Sequence, residues 1–243
     1  MDVPLEGGNT TVGVVRVGGT VRRPRGSRSE FAAAAVTWLN AHDFPYVARY
    51  FGIDAQRRDT FEYIEGETTE HPVQRDERSY AAMGGILREL HDLTTRRDAS
   101  GSATALLHGD PGPFNVVCRD GMPVALIDWD SSRVGEPLDD FGYAAWTWCA
   151  GDHGGTTAAE QAARLRAFRD AYDPTMTADG VLGAIGRAQQ SIITAETAVL
   201  DDPRREAGRR GHAERAIGWA ESDRRYLTRH LREFADALGG PRE

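Results

Sequence analysis

The segment His108-Gly109-Asp110-Pro111-Gly112-Pro113-Phe114-Asn115, with Val124-Ala125-Leu126-Ile127-Asp128-Trp129-Asp130 close behind it, constrains this chain more than any other. Pro111 biases Asp110 away from helical dihedrals and Pro113 stiffens the residues after it, so the first stretch reads as a rigid loop. The apolar run from Pro123 to Ile127 reads as a short buried strand that delivers Asp128 at its end. Loop and strand together offer three oxygen-bearing side chains: Asp110, Asn115 and Asp128. Phosphoryl transfer needs such a set, because the protein mainly aligns an acceptor hydroxyl and neutralises charge spreading over phosphate oxygens. One carboxylate takes the proton of the hydroxyl, while an amide oxygen and a second carboxylate are hard ligands of the kind Mg²⁺ prefers. Each residue alone has a plainer reading, since Asp and Asn commonly cap turns. The order and spacing of all three favour the chemical one.

Together with Pro137-Leu138-Asp139-Asp140 further on, these residues resemble the aminoglycoside phosphotransferase family, whose fold is similar to that of protein kinases. The resemblance implies an α+β, protein-kinase-like fold of two lobes. A small β-rich N-terminal lobe with the hinge would span 1–66, and a mainly helical C-terminal lobe with the catalytic loop and substrate pocket would span 67–243. It also implies that Asp110 is the catalytic base, that Asn115 and Asp128 hold Mg²⁺, and that His108 braces the catalytic loop beside Asp110. Asp140 becomes a structural carboxylate after the metal site. On its own, a histidine following the apolar pair Leu106-Leu107 is more often a satisfied structural group than an acid or base.

With 243 residues the chain can bury a large core as one compact two-lobed unit. A formal charge of −8 argues against non-specific nucleic-acid binding and is compatible with a cationic small substrate. No apolar run approaches the roughly 20 residues of a membrane span, and the start lacks a secretory signal's basic and apolar regions, so a cytoplasmic protein is expected. Cys118 and Cys149 have neither metal-ligand spacing nor the density of a disulfide scaffold, and are expected reduced and packed. All 29 basic residues are arginine. Kinase-like folds place a strand lysine on the nucleotide phosphates, so here an arginine does that work or nothing does.

Glu6-Gly7-Gly8-Asn9 reads as a turn, Thr11 to Val17 as a strand, Gly18-Gly19 as a hairpin turn and Thr20 to Arg23 as the returning strand. In the resembling family such a hairpin covers the phosphates; a plain hairpin fits the residues equally well. Matching Val21-Arg22-Arg23-Pro24 to the family's strand puts Arg22 in the cation's place, with Arg23 one residue away, and alternation lets only one of them face the cleft. Ser27 opens a helix with Phe31, Ala35, Trp38 and Leu39 on one face. Glu30 either pairs with Arg22 or completes a capping box with Ser27. Tyr46 to Ile53 and Thr60 to Ile64 read as strands around the turn Asp54 to Asp59, and the resemblance makes Phe61 to Glu67 the hinge, with backbone groups of Glu62 and Ile64 on adenine. Ser79 to Leu93 is helical, with Gly84-Gly85 allowing close packing and His91 reading as structural. Helices follow Asp140 at Phe141 to Cys149, Thr157 to Tyr172 and Ala178 to Leu200. A last one carries Ile217, Ala220, Leu227, Leu231, Phe234 and Leu238 as a packing seam.

The function implied is transfer of the γ-phosphoryl group of ATP, with Mg²⁺, to a hydroxyl of a small molecule. Aminoglycosides and related antibiotics are acceptors of the resembling family, which ties it to antibiotic resistance, and its relatives phosphorylate choline, homoserine and sugar-amines. A cationic acceptor would want a carboxylate-lined pocket, for which Asp139, Asp152 and Glu160 are candidates by location and charge. The competing class is a non-catalytic nucleotide- or ligand-binding protein of sequestering or immunity type, for which the missing lysine speaks. A protein kinase fits less well, because no Asp-Phe-Gly segment follows Asn115.

Overall fold

The computed structural model describes residues 2–5, 13–68, 75–99, 101–152 and 155–239. The turn expected at Glu6 to Asn9 and the first residues of the following strand lie outside them. A five-stranded antiparallel sheet has the order β1 (Val3–Pro4), β2 (Val15–Val17), β3 (Thr20–Pro24), β5 (Arg58–Glu62), β4 (Tyr50–Ile53). Gly18, at φ +60, makes the tight turn from β2 to β3, a conformation that costs a residue without a Cβ little. β4 is shorter than its hydrophobic run suggests. Tyr46 and Val47 leave the sheet and dock on β9 (Met122–Leu126), Val47 bridging Leu126 while the Tyr46 carbonyl accepts the Leu126 amide at 2.8 Å. That contact ties the sheet to the strand that carries Asp128.

Helix α1 (Ser29–Ala41) buries Ala32, Ala33, Ala35, Val36 and Leu39. The face expected from Phe31 is rotated, for Phe31 is 40% exposed with Arg28 over its ring. Four consecutive alanines give little contrast around a helix, and the one large ring misplaces the stripe.

The remainder is mostly helical, so the fold is α+β with a small sheet region and a helical body. α2 (Arg78–Thr94) packs on α4 (Ala158–Tyr172), and a Cβ on Gly84 would collide with the Phe168 carbonyl of α4. Glycine permits this approach at a cost in helix propensity. α3 (Pro137–Cys149) packs on α5 (Ala178–Asp201) in the same manner, Gly142 against the Ala184 carbonyl. Phe141, Trp146 and Trp148 of α3 are wholly buried, with Trp146 Nε1 donating to Asp223 at 2.8 Å. The last expected helix is two, α6 (Ala207–Arg229) and α7 (Leu231–Gly239), broken at His230. Short strands frame the loop region: β6 (Arg96–Arg97), β7 (Ala103–Leu107) and β10 (Arg133–Gly135) form one sheet, β8 (Val116–Arg119) and β9 another. Cys118 and Cys149 are buried free thiols. No helix among the described residues is long and apolar enough to cross a membrane.

Candidate active site

After β7 the chain turns at Gly109, φ +84, where a Cβ would also run into the Ser131 carbonyl, so a larger residue would be doubly penalised there. The turn is held from several sides. Asp140, in the first turn of α3, accepts the backbone N–H groups of His108 at 2.6 Å and Gly109 at 2.8 Å. His108 Nε2 lies 2.9 Å from the Ile127 carbonyl, and His108 Nδ1 lies 3.3 Å from the Asp110 amide. A carbonyl only accepts and an amide only donates, so Nε2 is the nitrogen that donates and Nδ1 the one that accepts. Trp148 Nε1 donates to the Pro111 carbonyl at 3.0 Å.

Asp110 sits at the centre of this frame. Asn115 Nδ2 donates to its carbonyl at 3.0 Å and to its Oδ2 at 2.9 Å. Asp110 Oδ1 is buried and has no hydrogen-bond partner among the described residues. The Tyr143 hydroxyl stands beside the carboxyl group and acts on it as a nearby donor. Burial pushes the Asp110 carboxyl up and the Asp128 charge adds to it, while Tyr143, His108 and Asn115 pull the other way. The Tyr143 phenol is itself raised well above its ordinary value, by burial and then by Asp110, and stays protonated at neutral pH. A carboxylate with one oxygen anchored, the other unpartnered and a raised proton affinity has the attributes of a general base.

A single residue joins this loop to the second carboxylate. Ile127 donates its N–H to the Asn115 carbonyl at 2.9 Å and gives its own carbonyl to His108. Asp128 follows in the left-handed region, φ +61 and ψ +65, and turns the chain into the 3-10 turn Trp129–Ser131. Such a conformation is uncommon outside glycine, and Arg28 Nη2 helps hold the turn by donating to the Ser132 carbonyl at 2.6 Å.

Arginine does reach this site, but from the neighbouring position. Arg23 Nη1 lies 3.1 Å from Asp128 Oδ1 and Arg23 Nη2 lies 2.5 Å from Asp130 Oδ2. Arg22, expected in the cation's place, points to the opposite face of β3 and binds Asp54 at 3.0 Å. The register puts Arg22 opposite Thr60 and Arg23 opposite Asp59, and alternation sends only the latter toward Asp128. Burial raises the Asp130 carboxyl, Arg23 lowers it in part, and Asp128 raises it again.

Other expected residues are placed differently. Glu30 is exposed and makes neither expected contact: Asp54 holds Arg22, and α1 begins without a side-chain cap. His108 is fully buried with both ring nitrogens engaged, which suits the loop-bracing role. The Glu62 amide donates to the Arg49 carbonyl at 2.8 Å, and Ile64 lies past the end of β5 with no backbone hydrogen bond to a described residue. Of the candidate pocket carboxylates, Glu160 caps α4 with Thr157 and the Asp152 amide is bound by Asp223; Asp139 alone lines a cavity beside the loop. His91 is structural, its Nδ1 2.9 Å from the Tyr172 hydroxyl and its Nε2 3.5 Å from Asp140. Two residues of the site carry no role in the sequence reading. Asp130 stands in the motif unassigned, and Tyr143 lies one helical turn past Asp140, a spacing that places it on the same face.

Among the described residues no three His, Cys, Asp or Glu side chains converge on one point, so the chain alone is not a metal cage. Mg²⁺ seldom needs one, since it keeps waters and shares phosphate oxygens. Asn115, whose Nδ2 is engaged and whose Oδ1 has no described donor, and half-exposed Asp128 fit that role.

A small antiparallel sheet beside a helical body is the architecture that this chain shares with the kinase-like fold of solved aminoglycoside phosphotransferases. Residues 95–178 carry the sequence signature of the Phosphotransferase enzyme family, and the fold of those enzymes extends over nearly the whole chain. The structure of APH(2″)-IIa in a ternary complex with streptomycin and ATP matches with a TM-score of 0.59 at 13% identity, covering 91% of this chain and 93% of that one. Macrolide 2′-phosphotransferase MphH from Brachybacterium faecium matches with a TM-score of 0.53 at 14% identity, covering 95% and 89%. A curated relative, the trifolitoxin immunity protein of Rhizobium leguminosarum bv. trifolii, is 35% identical over 161 residues. That match covers 60% of this chain and 61% of the relative, so it spans about three fifths of the relative's length.

Proposed function

We propose that this protein is an ATP- and Mg²⁺-dependent phosphotransferase acting on a hydroxyl group of a small molecule. The observation that carries the reading is Asp110: a buried carboxylate whose Oδ2 is fixed by Asn115 and whose Oδ1 has no partner among the described residues. An acceptor hydroxyl donating to Oδ1 would be oriented and relieved of its proton as it attacks. Asn115 and Asp128 would hold Mg²⁺, which supplies charge neutralisation on the phosphates when bound. Arg23 would take the role usually given to lysine, since its guanidinium fork is suited to phosphate oxygens. The backbone beyond β5, around Ile64, is the adenine-binding hinge between a lobe over 1–66 and one over 67–243. Streptomycin and macrolides head the acceptor panel because neighbours in fold are described with them.

The immunity protein among the relatives favours a second reading, in which the same scaffold protects against a toxin by binding it without catalysis. Thermal unfolding with Mg²⁺-ATP, in wild type and Asp128→Ala, separates the two. A ligand at 100 times its Kd stabilises by about 2.7 kcal/mol, which for a chain of this size raises the midpoint by roughly 5–10 °C. A rise that needs Mg²⁺ and vanishes in Asp128→Ala, together with ATP turnover that Asp110→Asn abolishes, supports phosphotransfer. No rise at millimolar nucleotide sinks it and favours the binding protein.

A further inference from the structure

Beside the catalytic loop, between α3 and α5, lies a cavity of about 260 Å³ whose lining includes Gly109, Arg133, Asp139, Tyr143, Arg187 and Ser191. Tyr143 joins it to the candidate active site, because it lines the cavity while its hydroxyl stands beside Asp110. The cavity thus neighbours that carboxylate across Tyr143 and the adjoining Gly109.

Its charges do not suit a polycation. Asp140 also contributes to the lining, yet its two oxygens are engaged by the amides of His108 and Gly109. Asp139 is paired with Arg133 at 3.1 Å. Arg187 is exposed and forms no hydrogen bond or ion pair with any described residue. Among the charged side chains of the lining, the carboxylates are thus engaged within the protein and one guanidinium is left over. The same lining carries neutral donors, the Ser191 hydroxyl and the protonated Tyr143 phenol. A guanidinium fork matches a carboxylate in geometry, and a single positive charge among acidic neighbours suits a monoanion better than a dianion. The volume also limits the guest. It lies below the ~300 Å³ at which pockets begin to enclose drug-sized ligands.

We infer that the acceptor is a small hydroxy-carboxylate, or the carboxylate-bearing end of a larger molecule, with Arg187 as the residue that selects it. This rests on the phosphotransfer reading for the word acceptor, but the binding selectivity can be tested without nucleotide. D-glycerate, N-acetylserine and a dipeptide ending in serine, each beside its neutral amide, and kanamycin as a polycation, would be titrated against the protein by saturation-transfer NMR. The expected result is about tenfold tighter binding of at least one carboxylate than of its amide, a difference equivalent to ~1.4 kcal/mol. That preference should disappear in both Arg187→Glu and Arg187→Gln, with the unfolding midpoint and the Mg²⁺-ATP shift unchanged. Equal affinity for acid and amide, no carboxylate binding to wild type, tighter binding of kanamycin, or a preference that survives both substitutions would overturn the inference. A protein that shows the preference but no Mg²⁺-ATP shift would retain the carboxylate site and lose the phosphotransfer reading.

Discussion

Replacing Asp140 by Asn should cost far more than so small a change suggests. The carboxylate accepts the His108 and Gly109 amides at 2.6 and 2.8 Å and is almost wholly buried. Asparagine keeps one acceptor oxygen and turns an NH₂ group toward the other amide, so at least one buried N–H loses its partner, at about 1–3 kcal/mol. The surviving bond also loses charge assistance, which roughly doubles the strength of such contacts. A loss of about 2–4 kcal/mol is expected from these two effects, or a fall in midpoint on the order of 5–15 °C at 2–4 °C per kcal/mol. The pH dependence adds a second check. Burial alone would raise the Asp140 carboxyl, but His91, His108 and the loop amides outweigh it and hold the carboxyl below its ordinary value. Its stabilisation is therefore complete above the unfolded-state pKa of about 3.9 and is lost as pH falls through the lower folded-state value. Urea unfolding of wild type and Asp140→Asn should show a constant gap from pH 5 to 8 that narrows at more acid pH. A gap under ~0.5 kcal/mol at pH 7 would refute the reasoning, since an exposed, uncoupled site gives that much, as would a gap that widens toward acid pH.

Substituting the two neighbouring arginines in turn should separate them: Arg23→Ala weakens Mg²⁺-ATP binding by about 10- to 100-fold, the worth of a hydrogen bond to a charged group, whereas Arg22→Ala leaves the titration unchanged. Asp110→Asn should lower phosphoryl transfer by about 10²–10⁴-fold, the span of general-base catalysis, with nucleotide affinity intact. Because the Asp110 carboxyl is raised by burial, ionising it costs stability as pH rises, so the Asn variant should unfold at or above the wild-type midpoint at pH 7. Gly142→Ala forces a Cβ into the Ala184 carbonyl and should lose about 1–3 kcal/mol in a urea titration through overpacking of α3 against α5.

The sequence exposes those features that depend on local spacing. Asp110, Asn115 and Asp128 stand a fixed few residues apart around two prolines and a strand, and the structure brings them into one frame through Ile127. The helices after Asp140 are legible from their periodicity. Partners far apart in sequence are not. Whether Arg22 or Arg23 reaches Asp128 depends on the pairing of β3 with β5, and a one-residue change in register exchanges their faces. The short strands β7, β8 and β10 lack length enough for an alternating pattern to declare itself. His108 looks like chemistry in the sequence because it adjoins Asp110, but its two nitrogens are occupied by backbone groups further along the chain, one of them 19 residues away.

The two buried thiols give this molecule a reporter of its own opening. Burial raises the proton affinity of both thiols, that of Cys149 more than that of Cys118, and alkylating reagents attack the thiolate. Labelling of the native protein must then wait for local unfolding. Cys118 lies in the strand pair behind Asp128, its amide and carbonyl bonded to Glu67 at 2.7 and 2.8 Å, while Cys149 closes α3 deep in the helical body. Their separate alkylation rates, followed by mass spectrometry, would show whether the carboxylate-bearing hairpin breathes independently of the helices.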